Sequence, residues 1–195
     1  WLQFPSDYLS EALAILIPIK QGKEWFELVT GHDHQEALAA FFEYAMWRDD
    51  FTAKGDELIS KCTEKQEYDL LFHIILSRPY RKDCTSNGLA LYDLLWGMSM
   101  AQRDALWTVK ISTPSQHGEL LMDLARWACE ASASTLAAVD EQSAKACLET
   151  LVWTLSSTWR ELRDRATHGI VHILVQHKRL ILPLLEKYSL VNDPY

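Results

Sequence analysis

Apolar residues recur at the 3.6-residue spacing of an α-helix along almost the whole chain, and this period restricts the possible folds more than any other feature. In the segment LRDRATHGIVHIL, for example, Leu162, Ala166, Ile170 and Ile173 share one helical face. No segment of the sequence alternates apolar and polar residues with the Val, Ile and Thr enrichment typical of strands. The pattern predicts an all-α protein.

Capping residues and prolines divide this pattern into short helices. Thr63 and Gln66 form a predicted capping box, Asn87 and Asp140 can each cap a following helix, and Pro79 marks a break. The predicted helices cover approximately residues 7–20, 23–30, 34–47, 56–62, 64–77, 88–98, 101–111, 116–132, 141–156, 160–176 and 180–188.

The order of helix, short loop and helix predicts a stack of helix pairs. The apolar faces are too broad for one two-helix hairpin to bury alone, and no long polar linker interrupts the chain. We therefore expect an α-solenoid of degenerate, HEAT-like antiparallel helix pairs, with an irregular helical bundle as the alternative. Residues 1–195 are predicted to form a single helical-repeat segment. Because the sequence opens without Met and closes as a new helix could begin, a fragment of a longer multidomain chain is expected.

Charge and cysteine content exclude several classes of protein. The formal net charge is -8 and the pI is about 5.3, which opposes binding to nucleic acid or to anionic membranes. The four cysteines lie far apart without a C-x-x-C pair, which favours reduced thiols in a cytoplasmic protein, with two disulfides as the alternative. Neither a signal peptide nor an apolar run of about 18 residues is present.

The sequence contains no catalytic, cofactor or metal motif that meets its chemical requirements. His168 and His172 stand one helical turn apart, but Gly169 occupies the position of the general base in H-E-x-x-H, and no third ligand is evident. The segment GHDH at 31–34 is better explained by Asp33 as a helix cap. QGKEW at 21–25 lacks the glycine frame of a P-loop. We predict that this segment is not an enzyme and holds no cofactor.

Two charged clusters remain as candidate functional or structural sites. The loop SRPYRKDCTSNG holds the densest basic and aromatic cluster, and we predict that Tyr80, Arg81 and Lys82 contact a partner; a solvated connection is the alternative. In LRDRAT, Arg163, Asp164 and Arg165 interrupt an apolar helix. They are predicted to form a charge ladder that pairs with neighbouring helices or their carbonyls, or alternatively to bind a ligand.

Tryptophan is abundant, with eight residues in 195. Most lie in helical apolar stripes, which predicts roles in the core and between repeats. A minority could instead anchor a protein partner, because tryptophan is enriched at binding hot spots. The sequence does not separate the two groups.

Four short motifs in the second half of the chain are similar to a known family. RDALW (103–107), LVWTLSS (151–157), LRDRAT (162–167) and VNDPY (191–195) occur in this order. With the helix that ends in LARWACEAS, they resemble the C-terminal helical-repeat region of bacterial antiviral STAND NTPases, the Avs proteins.

The resemblance implies a sensor function. Avs proteins join an effector, often a nuclease, to a central ATPase and a helical array that recognises a phage protein such as terminase or portal, and recognition drives oligomerisation. It implies ATP and Mg²⁺ as cofactors of a parent protein, a homo-oligomeric parent and a bacterial cytoplasmic location. The present sequence lacks the P-loop and the effector, so neither activity is expected of it. A scaffold segment that only braces neighbouring domains is the alternative function.

Overall fold

The computed structural model describes residues 68–77, 79–80 and 88–192, and these residues form helices and short connections without a strand. The all-α prediction is confirmed for them. The helices are α1 (Tyr68–Ser77), α2 (Gly88–Trp96), α3 (Met100–Arg103, continued through a π-helical turn at Asp104–Thr108 into Val109–Ile111), α4 (Gln116–Glu130), α5 (Ala133–Ala138), α6 (Glu141–Trp153), α7 (Arg160–Gln176) and α8 (Ile181–Tyr188).

Short 3-10 turns at Thr154–Ser156 and Lys178–Leu180 precede α7 and α8, respectively. The helices predicted between residues 7 and 62, and the caps predicted at Thr63 and Asn87, lie outside the described residues. The chain divides into two compact units, Trp1–Ile74 and Ile75–Tyr195. The packing described below belongs to the second unit.

Serine and aspartate side chains set several helix starts. Ser99 forms a capping box with Gln102, and Asp140 accepts a hydrogen bond from the Ser143 N–H as the N-cap of α6, as predicted. The predicted helix 116–132 is too long, because Ser132 adopts an extended backbone and caps the separate helix α5. Serine favours such local capping over continued helix, since its hydroxyl competes for backbone N–H groups.

Helix α7 is the centre of the packing and keeps its predicted bounds of 160–176. It packs most extensively against α4 and also contacts α5 and α6, while α2 packs on α6. Leu162, Ala166, Gly169 and Ile173 form its buried face. A Cβ added to Gly169 would lie 2.7 Å from the Cβ of Ala128 in α4. The two helices therefore approach so closely that the contact requires glycine.

Two tryptophans join α3 to the end of α6. Trp107 is 1% exposed, and its Nε1 donates a hydrogen bond of 3.0 Å to the carbonyl of Trp153. Nearby, the hydroxyl of Ser157 donates to the carbonyl of Ile111 at 2.7 Å. Both tryptophans are buried, so at these positions the predicted core role is confirmed. Trp1, Trp25 and Trp47 lie outside the described residues.

A buried ion pair attaches α8 to the rest of the unit. The Glu149 side chain is fully buried, and Lys187 Nζ lies 2.7 Å from its Oε2 atom. The same ammonium lies 3.4 Å from the centroid of the Tyr92 ring, a cation–π geometry. The hydroxyl of Tyr188 donates to the Glu149 carbonyl at 2.9 Å. Since Glu149 Oε1 has no hydrogen-bond partner, Lys187 supplies most of the compensation for burying this carboxylate.

Burial raises the pKa of the Glu149 carboxyl above its ordinary value, while the hydrogen bond and charge of Lys187 oppose that shift. A raised pKa means that the folded protein binds the proton more tightly than the unfolded chain does. Protonation of Glu149 thus favours the fold most at pH values below its ordinary pKa. That contribution is lost as the pH rises through the raised pKa of the folded state.

We predict that Gly169→Ala lowers the free energy of unfolding by about 1–2 kcal/mol, because overpacking outweighs the gain in helix propensity. Gly97→Ala is the matched control, since a Cβ there meets its nearest atom at 3.5 Å. It should leave the free energy unchanged or raise it by up to about 1 kcal/mol. Urea unfolding measures both, and equal stability of the two variants would contradict the close contact.

We predict that Lys187→Met lowers the free energy of unfolding by about 3 kcal/mol at a pH near 8, because Glu149 is then a buried and unpaired charge. The loss should be much smaller at a pH near 4, where Glu149 can bind a proton. In a Glu149→Gln background the same substitution should have a similarly small cost at both pH values, because the titrating carboxylate is absent. Lys178→Met is the control on an exposed lysine, and a loss independent of pH in Lys187→Met would refute the role of the ion pair.

Candidate partner-binding groove

Three separate parts of the second unit enclose a groove of about 610 Å³. One wall is the end of α1 with the residues after it, the second is α4, and the third is the turn between α5 and α6. The groove is lined by Leu76, Ser77, Pro79, Tyr80, Leu120, Asp123, Leu124, Trp127, Ala138, Val139, Asp140 and Ser143. Its volume is in the range of clefts that bind small molecules or a few residues of a peptide.

The first wall is held in place where the chain leaves α1. Leu76 is buried in the last turn of the helix, and Pro79 ends the helical pattern because it has no N–H to donate. The Pro79 carbonyl accepts a hydrogen bond of 3.0 Å from the N–H of Gly88. Tyr80 follows directly and is 52% exposed. The backbone is thus fixed beside a tyrosine that remains open to solvent.

The second wall is a stripe along α4. Leu120, Asp123, Leu124 and Trp127 recur at the i, i+3, i+4 and i+7 positions that share a helical face. Leu124 is buried and forms part of the floor, whereas Trp127 is 37% exposed. A large aromatic side chain that is partly exposed over an apolar floor is a typical anchor point for a protein ligand.

The third wall begins at the end of α5 and places a carboxylate at the groove. Asp140 accepts hydrogen bonds from the N–H and the hydroxyl of Ser143, at 3.1 and 2.7 Å. On the α4 wall, Asp123 pairs with Arg126 of the same helix at 2.9 Å, and both side chains are exposed. The described lining therefore contains two carboxylates and no Lys, Arg or His.

The groove contains one of the three residues predicted to contact a partner. Tyr80 lines it, while Arg81 and Lys82 lie outside the described residues, so their assignment stays a prediction. Asp123 and Trp127 are not among the site residues predicted from the sequence. In the sequence, the helical spacing of these two residues with Leu120 and Leu124 indicates a shared face of α4. Only the folded structure shows that this face lies beside Tyr80.

The three charged residues of LRDRAT make different contacts. Arg163 Nη1 donates to the carbonyl of Ser157 at 3.0 Å. Arg165 pairs with Glu161 one turn earlier at 3.2 Å and with Glu130 of α4 at 3.8 Å. The remaining residue, Asp164, pairs with Arg160 one turn earlier on its own helix at 3.4 Å.

An open cavity of about 630 Å³ lies beside these pairs and is lined by Cys129, Arg160, Glu161, Asp164, Arg165 and His168. The Cys129 thiol donates to the carbonyl of Arg165 at 3.0 Å, and burial raises the pKa of this thiol, which disfavours the thiolate form. His168 and His172 are exposed on α7. Over the described ranges, no three His, Cys, Asp or Glu side chains form a group that could hold a metal ion.

The four motifs of the family resemblance are connected by hydrogen bonds. Arg103 of RDALW donates from Nη2 to the carbonyl of Asn192 in VNDPY at 2.6 Å. Trp107 of the same motif donates to Trp153 of LVWTLSS, as described above. The hydrogen bond from Arg163 to the Ser157 carbonyl joins LRDRAT to the end of LVWTLSS. These motif residues have direct roles in packing.

No helix in the described part of the chain is both long and apolar enough to cross a membrane. Comparison of the chain with protein-family models, with curated proteins and with solved structures finds no match.

Proposed function

We propose that this chain is a protein-binding segment and that its groove docks part of a partner protein. The observation that carries the proposal is the presence of Tyr80 and Trp127, both partly exposed, in one groove with an apolar floor. Aromatic anchors supply a large contact area at a low cost in conformational entropy. In this proposal the groove recognises a partner protein and has no catalytic role.

We further propose that the chain belongs to the sensor region of a bacterial antiphage STAND ATPase. The ordered motifs support this identity. The parent protein would act in the cytoplasm, bind ATP and Mg²⁺, carry an effector such as a nuclease and form a homo-oligomer. Its ligand would be a phage protein such as terminase or portal.

The proposed architecture is a solenoid of degenerate HEAT-like helix pairs. Supporting it, α4 and α7 pack directly on each other although α5 and α6 lie between them in sequence. Contacts between alternate long helices are characteristic of stacked helix pairs. A stack of this kind presents a continuous surface, and a groove in that surface can bind a folded partner of complementary shape.

A scaffold function is the second candidate, and the motif contacts favour it. Arg103, Trp107 and Arg163 all donate to backbone carbonyls within the chain. If the motifs mark the family because they maintain the fold, their presence alone does not require ligand binding. The two functions differ in whether surface substitutions in the groove affect recognition.

We predict that Trp127→Ala in the parent protein lowers protection of bacteria against phage by at least about tenfold, the size expected when a hot-spot residue is truncated. Trp96→Ala is the matched control, because Trp96 is 43% exposed on another helix. Plaque counts measure protection, and thermal unfolding of the purified chain verifies that both variants fold. Unchanged protection with Trp127→Ala, or an equal loss with Trp96→Ala, would argue against the groove.

Replacement of the whole segment by an unrelated solenoid separates the two candidates. A sensor should lose protection completely, whereas a scaffold should retain it. Retained protection would reject the sensor function.

A further inference from the structure

We infer that α8 is a contact surface between two copies of this chain, which pair with their α8 helices antiparallel. The observation behind this inference is one exposed side of the helix that is apolar in the middle and oppositely charged at its two ends. We call this surface the α8 face; it consists of Arg179, Leu182, Pro183, Leu185 and Glu186. It is separate from the groove, so the inference does not depend on the proposed function.

The buried side of α8 determines which residues point to solvent. Leu180 and Leu184 are buried, and Lys187 pairs with the buried Glu149. Residues 180, 184 and 187 follow the i, i+4 and i+7 spacing of one helical side. The α8 face lies on the opposite side of the helix.

The middle of the α8 face is an exposed apolar surface. Leu182 and Leu185 are each 63% exposed, and Pro183 beside them is exposed as well. A single exposed leucine needs no explanation, but neighbouring apolar residues on one helix are typical of interaction sites. Contact with another apolar surface would remove these side chains from water, which favours association.

The ends of the α8 face carry charges that their own helix does not stabilise. Arg179 comes just before α8 and Glu186 lies in its last turn, about 10 Å further along the helix axis. Both are exposed, and neither side chain forms an ion pair within the described part of the chain. The helix dipole favours acidic residues at the N-terminus and basic residues at the C-terminus. These two residues have the reverse order, so a stabilising partner must come from another molecule.

A second copy of the chain supplies the complementary charges. In a two-fold pair, a contact from residue i to residue j is repeated from j to i. If the axis passes near Leu182 and Pro183, each Arg179 lies opposite a Glu186 of the other copy, with the leucines between them. Each charge then also lies at the favourable end of the other helix dipole. A parallel pair would instead place like charges together, so the charges select the antiparallel arrangement.

Sedimentation equilibrium of the full 195-residue chain tests whether it pairs. We expect a monomer–dimer equilibrium with a dissociation constant on the order of 10–100 µM, because one short helix from each copy gives a small interface. Leu182→Asp should weaken association at least about tenfold, and raised salt should weaken it further. The matched control is Val109→Asp, since Val109 is 66% exposed on α3. A monomer at millimolar concentration, or an equal loss with Val109→Asp, would overturn the inference.

Charge reversal tests the antiparallel geometry. Arg179→Glu alone and Glu186→Arg alone should each weaken association about tenfold, because each dimer then contains two pairs of like charges. An equimolar mixture of the two variants should recover the affinity of the unchanged chain to within about twofold, since both opposite-charge pairs form again in the mixed dimer. Thermal unfolding verifies that these surface variants fold. If mixing restores no association, the antiparallel pairing of α8 is refuted.

Discussion

The close approach of α4 and α7 at Gly169 is the constraint on which the rest of the described unit depends. It turns Ala125 and Ala128 of α4 towards α7, where both are fully buried. Since a helix repeats every 3.6 residues, fixing this stripe as the inner face also fixes the direction of every other stripe on α4. The face of α4 that runs from Leu120 to Trp127 then borders the groove. The packing of the core and the position of the candidate binding surface are thus two results of one helix contact.

Polar contacts determine how the outer elements attach to this core. The ion pair of Glu149 and Lys187 holds α8, and Arg103 holds the segment after it through the Asn192 carbonyl. Such bonds are directional, so they specify one position of an element where apolar contact alone would tolerate several. Trp107, four residues after Arg103, likewise donates to the backbone carbonyl of a distant segment.

The sequence predicted the helices well where periodicity and local capping both act. The bounds of α7 and the Asp140 cap follow from neighbouring residues, and they are correct. The start of α5 was missed because Ser132 competes with a continuing helix, a balance that residue type alone does not decide. The burial of Glu149 could not be predicted, because its partner lies 38 residues later. Tyr80 was identified as a candidate, but its neighbour Trp127 comes from another helix.

The composition of the groove from three parts of the chain has a thermodynamic consequence. Leu76, Trp127 and Asp140 are distant in sequence, and a ligand that touches all three acts as a non-covalent cross-link between them. It can bind only while the three segments are assembled, so its binding free energy adds to the cost of separating them. Local opening of α1 or α6 would then become rarer as ligand concentration rises. Ligand binding in the groove would therefore slow hydrogen exchange along α1 and α6, although the ligand contacts only the ends of these helices.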